Sequence, residues 1–292
     1  MVSRVIVLGD VMLDVVVQPK GPLAPTSDTP SNIRVARGGS GASFAIALRE
    51  SGHDVTYVGA RGRDTASEIV ANALAAADVS ALLEVVDAPT GTVVSLVDAD
   101  GQRRMLTYRG ANSLLSRRFV DEALREGFDH LHVSGYLLLD PATRDVAAGA
   151  LTGARRRGIT TSIDVCSVAP LQAVTPEVFL ASAINASQLF ANEEEALALT
   201  DTLDTRAALD TLAELFDEVV VTLGPRGAAG ALGPQRAHVE AFDVEVLDTT
   251  GAGDAATGAY LGARLHGLAP AQALAIAMEA GARAVGGLGA VG

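Results

Sequence analysis

The stretch VEVLDTTGAGDAATGAYLGARLHG, from Val244 to Gly267, decides how the chain is read. An alternating apolar run at Val244 and Val246 predicts a strand, and a small-residue amphipathic run from Asp254 to His266 predicts a helix. Gly251 and Gly253 fill the bend between them. Such a turn outlines an anion site, because glycines let backbone approach a ligand closely and the unpaired N–H groups of the first helical turn carry about half a positive charge. Asp254 stands in that same turn. Aspartate is an ordinary first-turn residue, so its position alone carries no chemistry. Beside a phosphate-sized anion site, however, a carboxylate is placed to take a proton from an attacking hydroxyl while the amides hold a transferring phosphoryl group. Next to a helix N-terminus it is expected to be ionised at neutral pH.

Working outward, 292 residues suffice for one large α/β domain with a substantial core. The formal net charge of −13 repels a nucleic-acid backbone. Arg155, Arg156 and Arg157 are the nearest approach to a basic run, and they close a predicted helix, where the dipole favours them. No apolar run approaches membrane-spanning length and no signal-peptide pattern opens the chain, so neither nucleic acid nor membrane is an expected partner and the expected location is cytoplasmic. The lone Cys166 excludes an internal disulfide and a cysteine-rich metal site. Lys20 is the single lysine and no GxxxxGK segment occurs, so phosphate must be bound without the usual P-loop.

Taken from its start, the chain opens with a buried strand over Arg4 to Gly9 that ends at Asp10, and active sites of open α/β sheets lie at such ends. Asp14 follows in MLDVVVQ, then a Pro/Ser/Thr-rich stretch and the alternating run Asn32 to Arg37, which read as strands of a small separate sheet. Gly38, Gly39, Ser40 and Gly41 lead into a helix over Ala42 to Glu50. Two alternating runs around Asp98 to Gly101 predict a hairpin over the same face, so that about 12–37 and 91–112 form a β lid. The remainder alternates strand and helix, with strands at Asp129 to Val133, Ile159 to Ile163, Gln188 to Phe190 and Asp217 to Leu223, and implies a mainly parallel sheet with helices on both faces. NEEE at Asn192 to Glu195 starts a helix, and Thr222, Gly224 and Gly227 follow a buried strand in a glycine-bearing loop.

With these segments in hand the whole chain resembles the ribokinase-like (PfkB) family of sugar and nucleoside kinases. DTTGAGD at Asp248 to Asp254 is similar to that family's C-terminal signature, and GGSGASFAIALRESG from Gly38 to Gly52 to its N-terminal one. The resemblance implies a single three-layer α/β/α kinase domain over 1–292 with a β lid, ATP as phosphoryl donor, Mg²⁺, a monovalent cation as an open addition, and an alcohol group of a sugar or sugar-like molecule as acceptor. It implies Asp254 as general base, with Gly251, Ala252 and Gly253 as the anion hole. Asn192 and Glu195 match the element that organises Mg²⁺; Thr222, Gly224, Gly227 and Thr250 fall where ATP phosphates are held. Asp14, Gly38, Gly39, Ser40, Ser43 and Arg109 fall at acceptor positions. Ser40 and Ser43 depart from the Lys and Asn common among relatives, which weakens any transfer of ribose specificity.

Two further expectations concern the substrate and the assembly. Arg104, Tyr108 and Arg109 on the predicted lid suit either solvated hairpin residues or readers of an anionic acceptor, such as a sugar acid of the 2-keto-3-deoxygluconate type or a sugar phosphate. A nucleoside kinase of the same family and a non-catalytic nucleotide or sugar sensor are the other readings, and a homodimer through the lid follows from its open β edge.

Overall fold

The computed structural model describes residues 2–98, 103–245 and 251–286. Strand β1 (Arg4–Leu8) shows how the sequence sets the layers. Its side chains alternate, so that Val5 and Val7 enter one apolar cluster while Ile6 and Leu8 enter another on the opposite face. A strand covered on both faces reads as a continuous apolar run, and this one does.

The further strands are β2 (Met12–Pro19), β3 (Ser31–Gly38), β4 (Asp54–Arg61), β5 (Ser80–Val85), β6 (Gly91–Val97), β7 (Arg103–Tyr108), β8 (His130–Val133), β9 (Thr160–Asp164), β10 (Gln188–Asn192), β11 (Glu218–Thr222), β12 (Ala228–Leu232) and β13 (Gln235–Val239). The main sheet runs β13-β12-β11-β10-β9-β8-β1-β4-β5. It is parallel from β11 through β5 and antiparallel at β11-β12 and β12-β13. The helices Ser40–Glu50, Ala252–Leu265 and Pro270–Val285 pack on one face, and Arg144–Arg156, Pro176–Ala183 and Glu193–Thr200 on the other. This is the three-layer α/β/α arrangement expected, with a four-stranded second sheet ordered β3-β2-β6-β7.

The helix that starts at Ser40 is seated through a ring stack. Phe44 lies 3.6 Å from the His132 ring at an interplanar angle of 9°. His132 and His130 both lean on the Ser162 hydroxyl, at 2.9 and 2.8 Å. Burial drives both imidazoles to the neutral form, His130 down to about 3. Uncharged rings can therefore stack inside the core without a counter-ion.

One expected element differs. Among the described residues Val244 and Glu245 are not in a strand, and Phe242 and Val244 are exposed. The rest of that stretch, Val246 to Thr250, and the hairpin tip at 99–102 lie outside the described residues. Thr250, expected near ATP phosphate, is among them.

Candidate active site

The Ala252–Leu265 helix begins at Gly251, whose φ of 73° sets the turn, and among the described residues no side chain caps its first amides. Asp254 projects from that first turn. Its Oδ1 lies 2.6 Å from the Ser40 hydroxyl at the start of the other glycine-led helix. The two signatures, 214 residues apart in the chain, thus meet at one hydrogen bond.

Asp254 is not the freely ionised carboxylate that its helix position predicts. Burial, then the nearby Asp164 carboxylate, pushes its pKa up to about 8 against the pull of the Ser40 hydrogen bond. Asp10 and Glu195 add further negative charge around it. The local dipole favours the anion, but desolvation and three sequence-distant carboxylates outweigh it.

The GG turn is fixed by sterics on both sides. At Gly38 a Cβ would stand 2.0 Å from Asp14 Oδ1, and at Gly39, with φ +94°, it would stand 2.6 Å from the Asp10 carbonyl. Both glycines therefore admit the strand ends of Asp10 and Asp14 against the helix start. Asp14 is pushed up to about 6, mainly by burial and then by Asp10. Ser43 accepts a 3.0 Å hydrogen bond from Arg37, a buried arginine at the end of β3 that faces Asp254 and Asp14 electrostatically.

Arg109 lies just beyond β7 and turns inward. Its Nη1 donates to Asp10 Oδ2 at 3.0 Å, its Nε lies 3.6 Å from Asp140 Oδ2, and its guanidinium caps the Tyr136 ring. Two carboxylates neutralise this cation, so it offers no net positive charge to an anionic acceptor. Arg104 and Tyr108 stay exposed on the second sheet and do not join the cluster. The pair nevertheless leaves one buried acceptor, Asp10 Oδ1, and two buried donors, Arg109 Nε and Nη2, without hydrogen-bond partners.

On the other side of the site, β10 and β11 run in parallel with Asn192 opposite Thr222. Asn192 and Glu195 close a capping box, Asn192 Oδ1 accepting from Glu195 N and Glu195 Oε2 from Asn192 N, both at 2.9 Å. Burial holds the Glu195 carboxyl up at about 7. The loop after Thr222 turns at Gly224 and Gly227; at Gly227 a Cβ would fall 1.9 Å from the Val239 carbonyl. Asp10, Asp164 and Asn192 thus stand at or just beyond the C-terminal ends of parallel strands, with Thr222 opposite Asn192, where ligands of open α/β sheets bind.

Three side chains in this cluster carry weaker sequence signals. Asp164 closes β9 as Asp10 follows β1, and the strand-end rule applied evenly points to it. Arg37 sits inside an alternating strand with nothing to mark its burial. Cys166 donates to Asp164 Oδ1 at 2.9 Å, in a backbone with φ 73°.

A two-layer-covered parallel sheet with glycine-led helix starts at its C-terminal edge defines a phosphate-handling α/β enzyme. The chain matches the model of the pfkB family carbohydrate kinases over residues 2–292 and belongs to that family. It is a sugar kinase, which transfers a phosphoryl group from ATP to a sugar hydroxyl. It is 29% identical to a ribokinase of Staphylococcus aureus (strain COL), with 89% of this chain and 86% of that protein aligned. It is 28% identical to the probable fructokinase-4 of Arabidopsis thaliana, covering 89% of this chain and 81% of the relative. In structure it superposes on an E. coli protein assigned as a ribokinase II and solved with ATP and Mg²⁺, with a TM-score of 0.88, 24% identity, and 99% of this chain and 94% of that chain covered.

Proposed function

We propose that the chain phosphorylates a neutral, polyhydroxylated sugar, with Asp254 as the base. The observation that carries the acceptor class is the Asp10–Arg109 pair, whose unspent acceptor and donor match a hydroxyl that donates to one and accepts from the other. Asp14, Gly38, Gly39, Ser40 and Ser43 line the same mouth and take the remaining hydroxyls. The crowd of carboxylates around Asp254 repels a sugar acid or sugar phosphate, and Arg109 is already neutralised.

In this reading Asp254 receives the acceptor hydroxyl proton as the oxygen attacks the γ-phosphorus. Gly251, Ala252 and Gly253 present uncapped amides to the transferring phosphoryl oxygens. Thr222, Gly224 and Gly227, with Thr250, hold the remaining phosphates of ATP. Little covalent work falls to the protein, so alignment and charge stabilisation supply the rate.

Glu195 and Asn192 fit a hydrated Mg²⁺. Among the described residues no cluster of three ligating side chains forms a protein cage, and Mg²⁺ ordinarily keeps waters and substrate phosphates with one or two carboxylates. Glu195 supplies such a carboxyl, held up at about 7 by burial and then by neighbouring Asp164 and Glu194. When bound, the ion neutralises phosphate charge. A monovalent cation is a further candidate cofactor.

The second sheet serves as the lid of one kinase unit spanning 1–292. Its exposed Ile33, Val35, Leu106 and Tyr108 support a homodimer through that sheet. Among the described residues no helix is long and apolar enough to cross a membrane, and an ATP-using sugar kinase with a lone thiol suits the cytoplasm.

A panel assay of ADP release tests the acceptor class. Neutral ketoses, aldoses and nucleosides are compared with sugar acids and sugar phosphates at equal concentration. A kcat/KM at least tenfold higher for a neutral polyol is expected, whereas a preference for anionic acceptors overturns the reading. ADP release with none of them favours a sensor.

A further inference from the structure

The Ser40 hydroxyl touches two carboxyl groups at once, Asp254 Oδ1 at 2.6 Å and Asp164 Oδ2 at 2.9 Å. A hydroxyl carries one proton. It donates to one of these oxygens, and the other contact becomes a hydrogen bond only if that carboxyl carries a proton and donates to Oγ. With both carboxyls ionised, two like charges would share a buried site with a single donor, the arrangement that raises the pKa of one member of a pair.

The surroundings of Asp164 fit this bookkeeping. Its Oδ1 accepts from the Gly135 amide at 2.7 Å and from the Cys166 thiol at 2.9 Å, leaving Oδ2 for Ser40. From β8, His132 approaches Oδ2 only to 4.0 Å and is held neutral. From β1 comes the Asp10 carboxylate, and from the Glu193–Thr200 helix the Glu195 carboxylate, both adding negative charge. From β3, Arg37 faces Asp254 rather than Asp164. Burial holds the Cys166 thiol protonated, so it remains a donor. Asp164 has two fixed donors, no adjacent cation, and a route through one hydroxyl to the reacting carboxyl.

We propose that Ser40 and Asp164 form a proton relay behind Asp254, in which Asp164 takes up the proton that Asp254 must lose before it can act as a base. The inference rests on the reading of Asp254 as the base. In the unreactive arrangement the Asp254 carboxyl donates to Ser40 Oγ and the Ser40 hydroxyl donates to Asp164 Oδ2. The Asp254 O–H bond then breaks as a new Ser40 O–H bond forms, while the former Ser40 O–H bond breaks as an Asp164 O–H bond forms. Asp254 is left ionised, and neither the total charge nor the number of protons in the site has changed. The acceptor hydroxyl then loses its proton to Asp254 as its oxygen bonds to the γ-phosphorus; the bond from that phosphorus to the β–γ bridging oxygen breaks, and ADP leaves with the electron pair. One proton passes from Asp254 to solvent after the products. Asp164 acts through Ser40 and Asp254 and is a positioning residue.

The test is the pH profile of kcat/KM for the acceptor in wild type, Asp164→Asn, Ser40→Ala and Ser40→Thr, with Asp254→Asn as reference. Asn at 164 mimics the neutral carboxyl, so the acidic limb is expected to move down by about one pH unit or more, a tenfold change in proton concentration. Loss of the Asp164 charge moves the limb by itself; the relay further requires that the activity wild type keeps below its limb, where Asp164 can take the proton, be lost in Asp164→Asn, whereas a charge effect alone would leave that activity undiminished. Ser40→Ala is expected to cut kcat at pH 7 about tenfold, and Ser40→Thr to restore it to within about threefold. An unmoved limb or undiminished activity below it in Asp164→Asn, or a threonine variant no better than alanine, overturns the relay. If Asp164→Asn does not fold, infrared spectra of ¹³C-aspartate-labelled wild type decide. A protonated carboxyl band at pH 7 that changes in Ser40→Ala is required, and its absence overturns the proposal. Full activity in Asp254→Asn would sink the base assignment itself, whereas an inactive Asp254→Asn with an unmoved limb in Asp164→Asn sinks the relay alone.

Discussion

At the floor of the site Asp10, Asp164, Asp254 and Glu195 are drawn together at strand ends and helix starts, largely out of water. In the second sheet, Ile33 and Leu106 are apolar yet 64% and 60% exposed. One region buries charge and the other exposes hydrocarbon, and each arrangement costs free energy unless a ligand or partner completes it. A bound cation would offset the charge of the floor, and a second copy of the chain would cover the sheet. Chemistry should therefore fail when the floor is changed, whereas changes in the sheet should act on acceptor binding and assembly.

The sharpest break is Asp254→Asn. General-base removal typically costs about 10²–10⁴-fold, so turnover in an ADP-release assay should fall by that order while ATP affinity by calorimetry stays within about threefold. Near-normal turnover would dissolve the distinction between floor and sheet. Asp14→Asn, at the seam between the two, should raise the acceptor KM about 10–100-fold, the loss of a charge-assisted hydrogen bond, with a smaller effect on kcat. Equal losses in both parameters would move Asp14 from binding into the chemistry.

Gly39→Ala should cost about 1–3 kcal/mol in a urea titration, because an alanine must take up a φ of +94° with its Cβ 2.6 Å from a carbonyl oxygen. The buried carboxyls also predict the pH dependence of stability. Asp14, Glu195 and Asp254 rise from 3.8, 4.5 and 3.8 to about 6, 7 and 8 in the folded chain. Between those limits the folded state binds more protons than the unfolded one, so the ligand-free protein loses stability as pH rises from about 4 to about 8. Thermal unfolding should show a Tm falling by a few degrees over that window, and Asp254→Asn should flatten its upper end. A Tm that rises across the window would mean that the carboxylates are paired rather than stranded. The smallest expected effect on catalysis is that of Leu106→Asp, which should turn a dimer into a monomer by sedimentation and leave kcat within about twofold.

Much of the floor was legible because its parts are local. A glycine turn before a helix, NxxE at a helix start and TxGxxG after a buried strand each carry their geometry within a few residues. Ser40 meeting Asp164 across 124 residues has no such local trace. Nor does the ion pair that turns Arg109 from a lid residue into the partner of Asp10, across 99 residues. The ionisation of Asp254 escapes the sequence for the same reason: a helix dipole can be seen in one turn of sequence, while desolvation by a folded core and charge from Asp164 and Asp10 cannot. Before the glycine turn, Val244 has a strand's spacing in the sequence, yet among the described residues it lies exposed and outside any strand, which only the fold shows.

The account turns on Asp254 being a base whose company of buried carboxyls holds its proton near neutrality. The most direct measurement is the wild-type pH profile of kcat/KM with both substrates well below KM, which reports groups of the free enzyme. An acidic limb with an apparent pKa near 8, within about a unit, is the predicted result. A profile flat from pH 5 to pH 9, or a limb near the ordinary aspartate value of 3.8, would contradict it.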